Sequence, residues 1–366
     1  MILKNLNINY FRNYNYLHWE PHTGINFITG SNAQGKTNLL EAVFFSGMGY
    51  SFRRKGSNVV NWYSKKSSFI KATYQLNNTT MDISLHINHD GMKKIFVNGT
   101  EEKRKSLPGR YGIILFKPDD LQIIKGPPSG KRDFIDYDIG IIDPLYSRNL
   151  IHYRRVLEQR NYLLRTGGIN NDSFQTWNES FYQYGAELLA GRIRLLKKYI
   201  PLVRKIYADI AGGHEVLEMK YLSTLNITGK TDIQQIIKEF ITEGKTRQRE
   251  ELYKKQTIFG PHRDDICFLI NNKDARYYAS QGQIRSIVLA LKTAQIQLFY
   301  NENGEYPIFL LDDVLTELDE QRQHYLLMLI NNQVQSFITT TTPVAKISHY
   351  ANRVYLINNG VLREVI

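Results

Sequence analysis

The sequence contains one cysteine, Cys267, so no disulfide can close within the chain and a reducing compartment is expected. No apolar run approaches the ~18 residues that cross a bilayer, and Met1-Ile2-Leu3-Lys4-Asn5 has no signal-peptide layout. A cytoplasmic protein without a membrane partner is expected. Internal repeats and low-complexity tracts are missing too, which excludes solenoids and long disordered tails. Acidic residues are the minority charge: 35 Asp and Glu stand against 47 Lys and Arg, a net charge of +12. That balance favours a polyanionic partner, nucleic acid before a lipid surface. Hydrophobic content of 42% and charged content of 22% are ordinary for a globular chain, and 366 residues suffice for one large core and a smaller body.

What is present is organised around Gly30-Ser31-Asn32-Ala33-Gln34-Gly35-Lys36-Thr37, which fits G-x-x-x-x-G-K-[ST] at every fixed position. Gly24–Thr29 before it reads as a short buried strand, and Asn38–Val43 after it as the opening of a helix. In that strand–loop–helix context the glycines let backbone N–H groups close around an anion at a helix N-terminus. Lys36 supplies a positive charge for the β- and γ-phosphates, and Thr37 a hydroxyl for Mg²⁺. ATP with Mg²⁺ is the cofactor these residues predict.

Residues 1–30 alternate apolar and polar positions as two or three strands, and Ser68–Leu76, Thr80–Asn88 and Lys93–Asn98 continue as a meander with a turn at Asp90-Gly91. Tyr111–Phe116 is a further strand. Gly126-Pro127-Pro128-Ser129-Gly130 breaks the pattern, and from Pro144 to about Gln256 the spacing turns helical. Phe174, Trp177, Phe181, Tyr184, Leu188, Gly191 and Leu195 step by three and four, matched upstream by Tyr146, Leu150, Tyr153, Leu157 and Leu164. An antiparallel helical hairpin is predicted, turning at Thr166-Gly167-Gly168, with a further helix over Thr231–Lys255 and a short extended piece within Glu215–Ile227. Strands return at Asp265–Ile270 and Asp274–Tyr278, then a helix at Gln283–Tyr300, a buried strand at Pro307–Leu311, a helix at Glu320–Ile330, and strands at Gln335–Thr340 and Arg353–Ile357 before the Asn359-Gly360 turn.

Ile308-Phe309-Leu310-Leu311-Asp312-Asp313 is an apolar strand ending in two carboxylates. Asp312 is the expected partner of the nucleotide's metal, and Asp313 the group that orients or deprotonates an attacking water. Lys36, Asp312 and Asp313 are therefore the catalytic candidates. A second anchor is Ala279-Ser280-Gln281-Gly282-Gln283, where Ser280 caps a helix and Gly282 admits close backbone approach. The phosphate loop and the acidic strand lie near opposite ends of the chain, so a helical body is inserted between two halves of one nucleotide-binding head. The expected fold is α/β, a P-loop ATPase head with mixed sheets and an inserted, mainly helical, coiled-coil-like domain. Its parts would be 1–130, 131–256 and 257–366.

The phosphate loop, the Ser-x-Gly-Gln helix start and Asp-Asp followed by Leu315-Thr316-Glu317-Leu318-Asp319 together resemble an ABC/SMC-type ATPase head. Tyr10–Tyr14, Phe116–Leu121, Lys131–Asp136 and Gly260–Asp265 narrow the resemblance to the RecF family, in family order from residue 10 to 319. This resemblance implies an ATP-dependent homodimer in which Ser280, Gly282 and Gln283 of one copy meet the γ-phosphate held by Gly30–Thr37 of the other. Asp319 would lie near the seam, and a Q-loop glutamine near Phe116–Gln122. It further implies a DNA-binding recombination mediator, a weak DNA-stimulated ATPase acting at single-strand gaps and at junctions of single- and double-stranded DNA. With RecR and RecO, such a protein helps RecA load in replication-fork repair. Two departures suggest slow hydrolysis: Asp313 where such heads carry glutamate, and Thr339-Thr340-Thr341 where many place a histidine. Arg53, Arg54, Lys65, Lys66, Lys103, Arg104 and Lys105 are candidate DNA-phosphate contacts. Gly260–Asp265, with one histidine, reads as a structural or DNA-side loop rather than a metal site. The competing readings are an ATPase subunit of a membrane importer, which would lack the insertion, and an SMC-like structural head, which would carry far longer coiled coils.

Overall fold

A computed structural model describes residues 1–53, 66–77, 79–88, 93–103, 112–168, 172–227, 232–331 and 333–366. The chain opens with β1 (Ile2–Phe11), β2 (Tyr14–Trp19), β3 (Ile25–Thr29) and α1 (Lys36–Met48). It continues through β4 (Ser68–Leu76), β5 (Thr79–Ile87), β6 (Lys93–Val97), β7 (Thr100–Glu102) and β8 (Ile113–Phe116). Then come α2 (Gln122–Lys125), α3 (Pro128–Ile142), α4 (Pro144–Thr166), α5 (Asp172–Ile210), β9 (Leu217–Leu222) and α6 (Ile233–Lys254). After β10 (Asp265–Ile270), β11 (Lys273–Asp274), α7 (Ala275–Tyr278) and α8 (Gln281–Asn303), the chain ends in β12 (Ile308–Asp312), α9 (Glu320–Ile330), β13 (Ser336–Thr340), α10 (Val344–Ile347), β14 (Arg353–Asn358) and β15 (Val361–Glu364).

Two compact units form, one from Met1–Asp120 with Val288–Ile366, the other from Leu121–Ile287. The divisions fall at 120/121 and within α8, whereas the sequence reading places them at 130/131 and 256/257. The three strands β9, β10 and β11 make one sheet whose middle strand contacts α3, and this draws residues 257–287 into the helical unit.

In the first unit, one six-stranded sheet is antiparallel in the order β2-β1-β4-β5-β6-β7. The other runs β15-β14-β3-β13-β12-β8, parallel except for the β14–β15 hairpin. Helix α1 contacts strands of both sheets, and every residue of it except Thr37 is buried. Burial on all sides is what a position between two sheets imposes, and the buried polar residues Asn38, Glu41 and Ser46 are each hydrogen-bonded. Strand β3 is buried at all five positions, as expected for a central parallel strand whose faces are both covered.

In the second unit, α4 is capped by Asp143, which accepts from the N–H groups of Leu145 and Tyr146, and α4 ends at Gly167. Helix α5 spans 39 residues. Phe174, Phe181, Leu188, Gly191 and Leu195 of its stripe are buried, with Trp177 and Tyr184 half-buried. Phe181 meets Tyr153, Phe240 and Phe259 with ring centroids 5.5–5.6 Å apart. Each such ring contributes about 2–3 kcal/mol when fully buried.

Three local expectations change. Helix α3 begins inside the supposed breaker cluster, because Pro128 in the first helical turn costs no intrahelical N–H bond. Asp274–Tyr278 is mostly the helical turn α7 rather than a strand, with Asp274 accepting from Arg276 N. Beyond the Asn359-Gly360 turn, β15 is an additional strand pairing with β14. The Asp90-Gly91 turn lies outside the described residues.

Candidate functional site

Strand β3 delivers the chain to the phosphate loop, and α1 leaves it. Gly30 (φ 147°) and Gly35 (φ 116°) hold left-handed torsions. A Cβ would lie 2.5 Å from Ile357 O at Gly30 and 2.5 Å from Asn13 Nδ2 at Gly35, so only glycine fits either place. Ala33 also takes a positive φ, of 63°. The loop's carbonyls are held from outside. Gln34 O accepts from Asn13 Nδ2 at 3.0 Å and from Gly360 N at 3.2 Å, and Gly35 O accepts from Tyr14 OH at 3.0 Å. Gln34 Oε1 takes Asn359 N at 2.7 Å, and Asn13 Oδ1 takes Asn38 Nδ2 at 2.6 Å. With these two carbonyls pinned, and with Gly30, Ala33 and Gly35 at positive φ, the loop fits an anion nest. Burial raises the Tyr14 hydroxyl far above its ordinary pKa, so it stays a donor.

Lys36 is buried, and its Nζ bends back to Gly30 O at 2.8 Å and Ser31 O at 3.0 Å. Its charge thus stands over the loop. Thr37 Oγ1 donates to Asp312 Oδ1 at 2.9 Å across a sequence separation of 275. Sheet register makes this meeting: β3 pairs with β13 and β13 with β12, which sets Asp312 opposite Thr339. The Thr339 hydroxyl lies 3.0 Å from the same oxygen of Asp312 and accepts Asp313 N at 2.9 Å. Burial raises the Asp312 pKa above the usual carboxylate range; hydrogen bonds from Thr37 and Thr339 and the charge of Arg53 act against it, while Asp313 adds to it.

Asp313 turns away in a left-handed conformation (φ 53°), and its Oδ1 is buried without a hydrogen-bond partner. Such an orphaned oxygen fits a site completed by a ligand or its water. The donor set also fits: N–H groups and a lysine suit phosphate, while a hydroxyl and carboxylate suit a hard cation. Among the described residues no group of three or more His, Cys, Asp or Glu could hold a metal by itself.

In the second unit, Ser280 and Gln283 form a reciprocal capping box at the start of α8. Ser280 N donates to Gln283 Oε1 at 2.8 Å, and Gln283 N donates to Ser280 Oγ at 3.2 Å. Ser280 is exposed and Gly282 half-exposed. The Gly260–Asp265 segment is a structural hub of this unit. His262 Nε2 donates to Thr257 O, so its Nδ1 accepts from Tyr153 OH at 2.7 Å. Burial, with Arg263, Arg132 and Arg160 nearby, lowers its pKa to about 3 against the help of the Thr257 carbonyl. Asp264 accepts from Tyr221 OH at 2.5 Å and Thr224 N at 2.8 Å.

The basic candidates divide. Arg53 Nε lies 3.5 Å from buried Glu41 and its charge acts on Asp312, so it belongs beside the phosphate loop. Lys66 Nζ donates to Tyr10 OH at 3.0 Å, and Lys103 is exposed. Arg54, Lys65, Arg104 and Lys105 lie outside the described residues. The sequence reading quotes Asn13 within Tyr10–Tyr14 and Asn359-Gly360 as a turn but assigns none of them to the phosphate loop, and gives Glu215 no role. The Asn-Gly signal indicates a turn rather than a clamp.

This combination of nest, lysine, hydroxyl–carboxylate pair and capped second helix defines a P-loop ATPase head. A model of the RecF/RecN/SMC N-terminal domain matches residues 2–362. The chain is 41% identical to a DNA replication and repair protein RecF of Desulforamulus reducens, covering 100% of this chain and 99% of that one. It is 38% identical to the RecF of Pelotomaculum thermopropionicum, covering 98% and 99%. A solved structure of the recombination mediator protein RecF with ATP, described as part of the RecFOR pathway, superposes with a TM-score of 0.90 at 32% identity, covering 100% of this chain and 98% of that one. An SMC head bound to the C-terminal winged-helix domain of ScpA superposes at 0.60 with 16% identity, a likeness of fold alone. The chain belongs to the RecF family.

Proposed function

We propose that this chain is an ATP-binding recombination mediator of the RecFOR type, which uses ATP as a switch for pairing two copies on DNA. The observation that carries the reading is the Thr37–Asp312 contact beside a loop whose Gln34 and Gly35 carbonyls are held by Asn13 and Tyr14. Full-length identity to RecF proteins, one of them solved with ATP, supports the same conclusion. When bound, Mg²⁺-ATP supplies the phosphoryl group for hydrolysis. Gly30–Thr37 would hold the phosphates, Lys36 neutralise them, and Thr37 with Asp312 hold the cation. Asp313, through its unpartnered oxygen, would take a proton from a water, and one methylene less than glutamate makes that transfer slow. Ser280 and the N–H groups at the start of α8 would meet the γ-phosphate held by a second copy.

The net charge of +12 supports DNA as the polyanion, with gapped or junction DNA the expected form and RecR, RecO and RecA the expected pathway partners. No helix among the described residues is long and apolar enough to cross a membrane. Whole-length similarity to RecF proteins disfavours an importer subunit, and the SMC likeness stops at the fold.

Light scattering with and without ATP and Mg²⁺ tests the reading, on wild type, Lys36→Met and Ser280→Arg, with gapped DNA added last. A mass doubled by ATP in wild type alone supports it. A mass unchanged by ATP, even with DNA present, removes the two-copy switch.

A further inference from the structure

We infer that Glu215 is a positioning residue for Ser280, and that through it the end of helix α5 is coupled to nucleotide-driven pairing. The inference rests on the proposed meeting of Ser280 with a second copy's nucleotide, and goes beyond it by naming what sets Ser280 in place.

The geometry is a short relay. Gln283 Oε1 receives Ser280 N, so the amide's other end is free to turn outward, and its Nε2 donates to Glu215 Oε1 at 2.7 Å. The second oxygen of Glu215 accepts Tyr207 OH at 2.5 Å. Tyr207 is fully buried one turn before the end of α5, so its hydroxyl is a fixed point. Among the described residues no cation pairs with Glu215; both its oxygens serve the tyrosine and the glutamine. A charged acceptor makes the Gln283 bond roughly twice as strong as a neutral one. It also fixes which end of the amide faces Ser280: reversed, the NH₂ would meet the Ser280 N–H donor to donor. Glu215 therefore holds Gln283 as the acceptor for Ser280 N, at the point where Ser280 is exposed. Gln283 becomes a clamp inside its own chain rather than a nucleotide ligand. A shift at the end of α5 is transmitted to Ser280 through three hydrogen bonds.

The test uses the full chain and reads two quantities separately: ATP-driven self-association by light scattering, and binding of a fluorescent ATP analogue under dilute, single-chain conditions. Glu215→Ala is expected to weaken association about tenfold, the loss of one charge-assisted hydrogen bond, with single-chain binding changed less than about twofold. Tyr207→Phe should weaken it less, and Glu215→Gln, which keeps one acceptor oxygen without the charge, should leave a loss of only about threefold. Glu215→Ala combined with Gln283→Ala should associate no worse than Gln283→Ala alone. If Glu215→Ala pairs like wild type while Ser280→Arg does not, the relay is wrong and the two-copy reading stands. If association and single-chain binding fall together, the role is merely structural and the inference fails. If wild type never pairs with ATP, the two-copy reading falls and takes the relay with it.

Discussion

Arg12 Nε and Nη2 reach the two oxygens of Glu41 at 3.0 and 2.6 Å, and the two side chains are 2% and 0% exposed. Arg12 sits in the two-residue turn between β1 and β2 with a left-handed φ of 54°, next to the Asn13 that holds the phosphate loop. A non-glycine residue there costs about 1–2 kcal/mol. The buried bidentate pair holds the turn against that cost and ties it to α1. Glu41 also accepts from Ser51 Oγ at 2.5 Å and faces Arg53, so one carboxylate gathers the turn, the helix and the segment after it.

Removing one partner should therefore be costly. Arg12→Met is expected to lower the stability of the first unit by about 3–5 kcal/mol in urea unfolding, because Glu41 loses its main counter-charge while buried. The double variant Arg12→Met, Glu41→Met should regain much of this. A double variant no more stable than the single one would show that the pair is not isolated from Ser51 and Arg53.

Asn13 acts on the phosphate loop and hardly on the core. Asn13→Ala removes a donor to Gln34 O and an acceptor for Asn38, so nucleotide affinity should fall about fivefold to tenfold, the equivalent of one or two net hydrogen bonds. Calorimetric titration with ATP measures this, and an unchanged affinity would show that Gly360 and Tyr14 suffice to hold the loop.

Asp312 offers an opposite signature. Burial raises its pKa, so the ligand-free fold gains stability as the pH falls through that raised value and bears a cost while the group is ionised. Asp312→Asn is expected to leave the ligand-free melting temperature unchanged or higher, while removing most of the extra stabilisation by Mg²⁺-ATP. A drop of several degrees without ligand would contradict the assignment.

His262 titrates in the other direction. Its folded pKa of about 3 lies below the ordinary 6.5, so its contribution is full above pH 6.5 and is lost as the pH falls from there toward 3. The raised pKa of Asp264, caused by burial, offsets part of this at the acid end. Melting curves at pH 8, 6 and 5 should show the second unit weakening in wild type and much less in His262→Asn. Equal slopes in both proteins would mean that His262 is not the group responsible.

The local residue pattern alone determined the phosphate loop, the apolar strand ending in Asp312-Asp313, the capped start of α8 and the long helical stripe. Each is a statement about backbone torsion or burial over a few neighbouring residues, and such preferences are written in residue type and spacing. The ordered motifs determined the family as well. Tertiary structure alone decided that Thr37 meets Asp312, because the order β3-β13-β12 brings those strand ends together and no local signal encodes sheet order. It also placed Arg53 beside Glu41, and revealed Asn13, Gly360 and Glu215 as residues that hold the loop and Gln283. Their roles arise from hydrogen bonds across long separations, where geometry rather than residue type selects the partner.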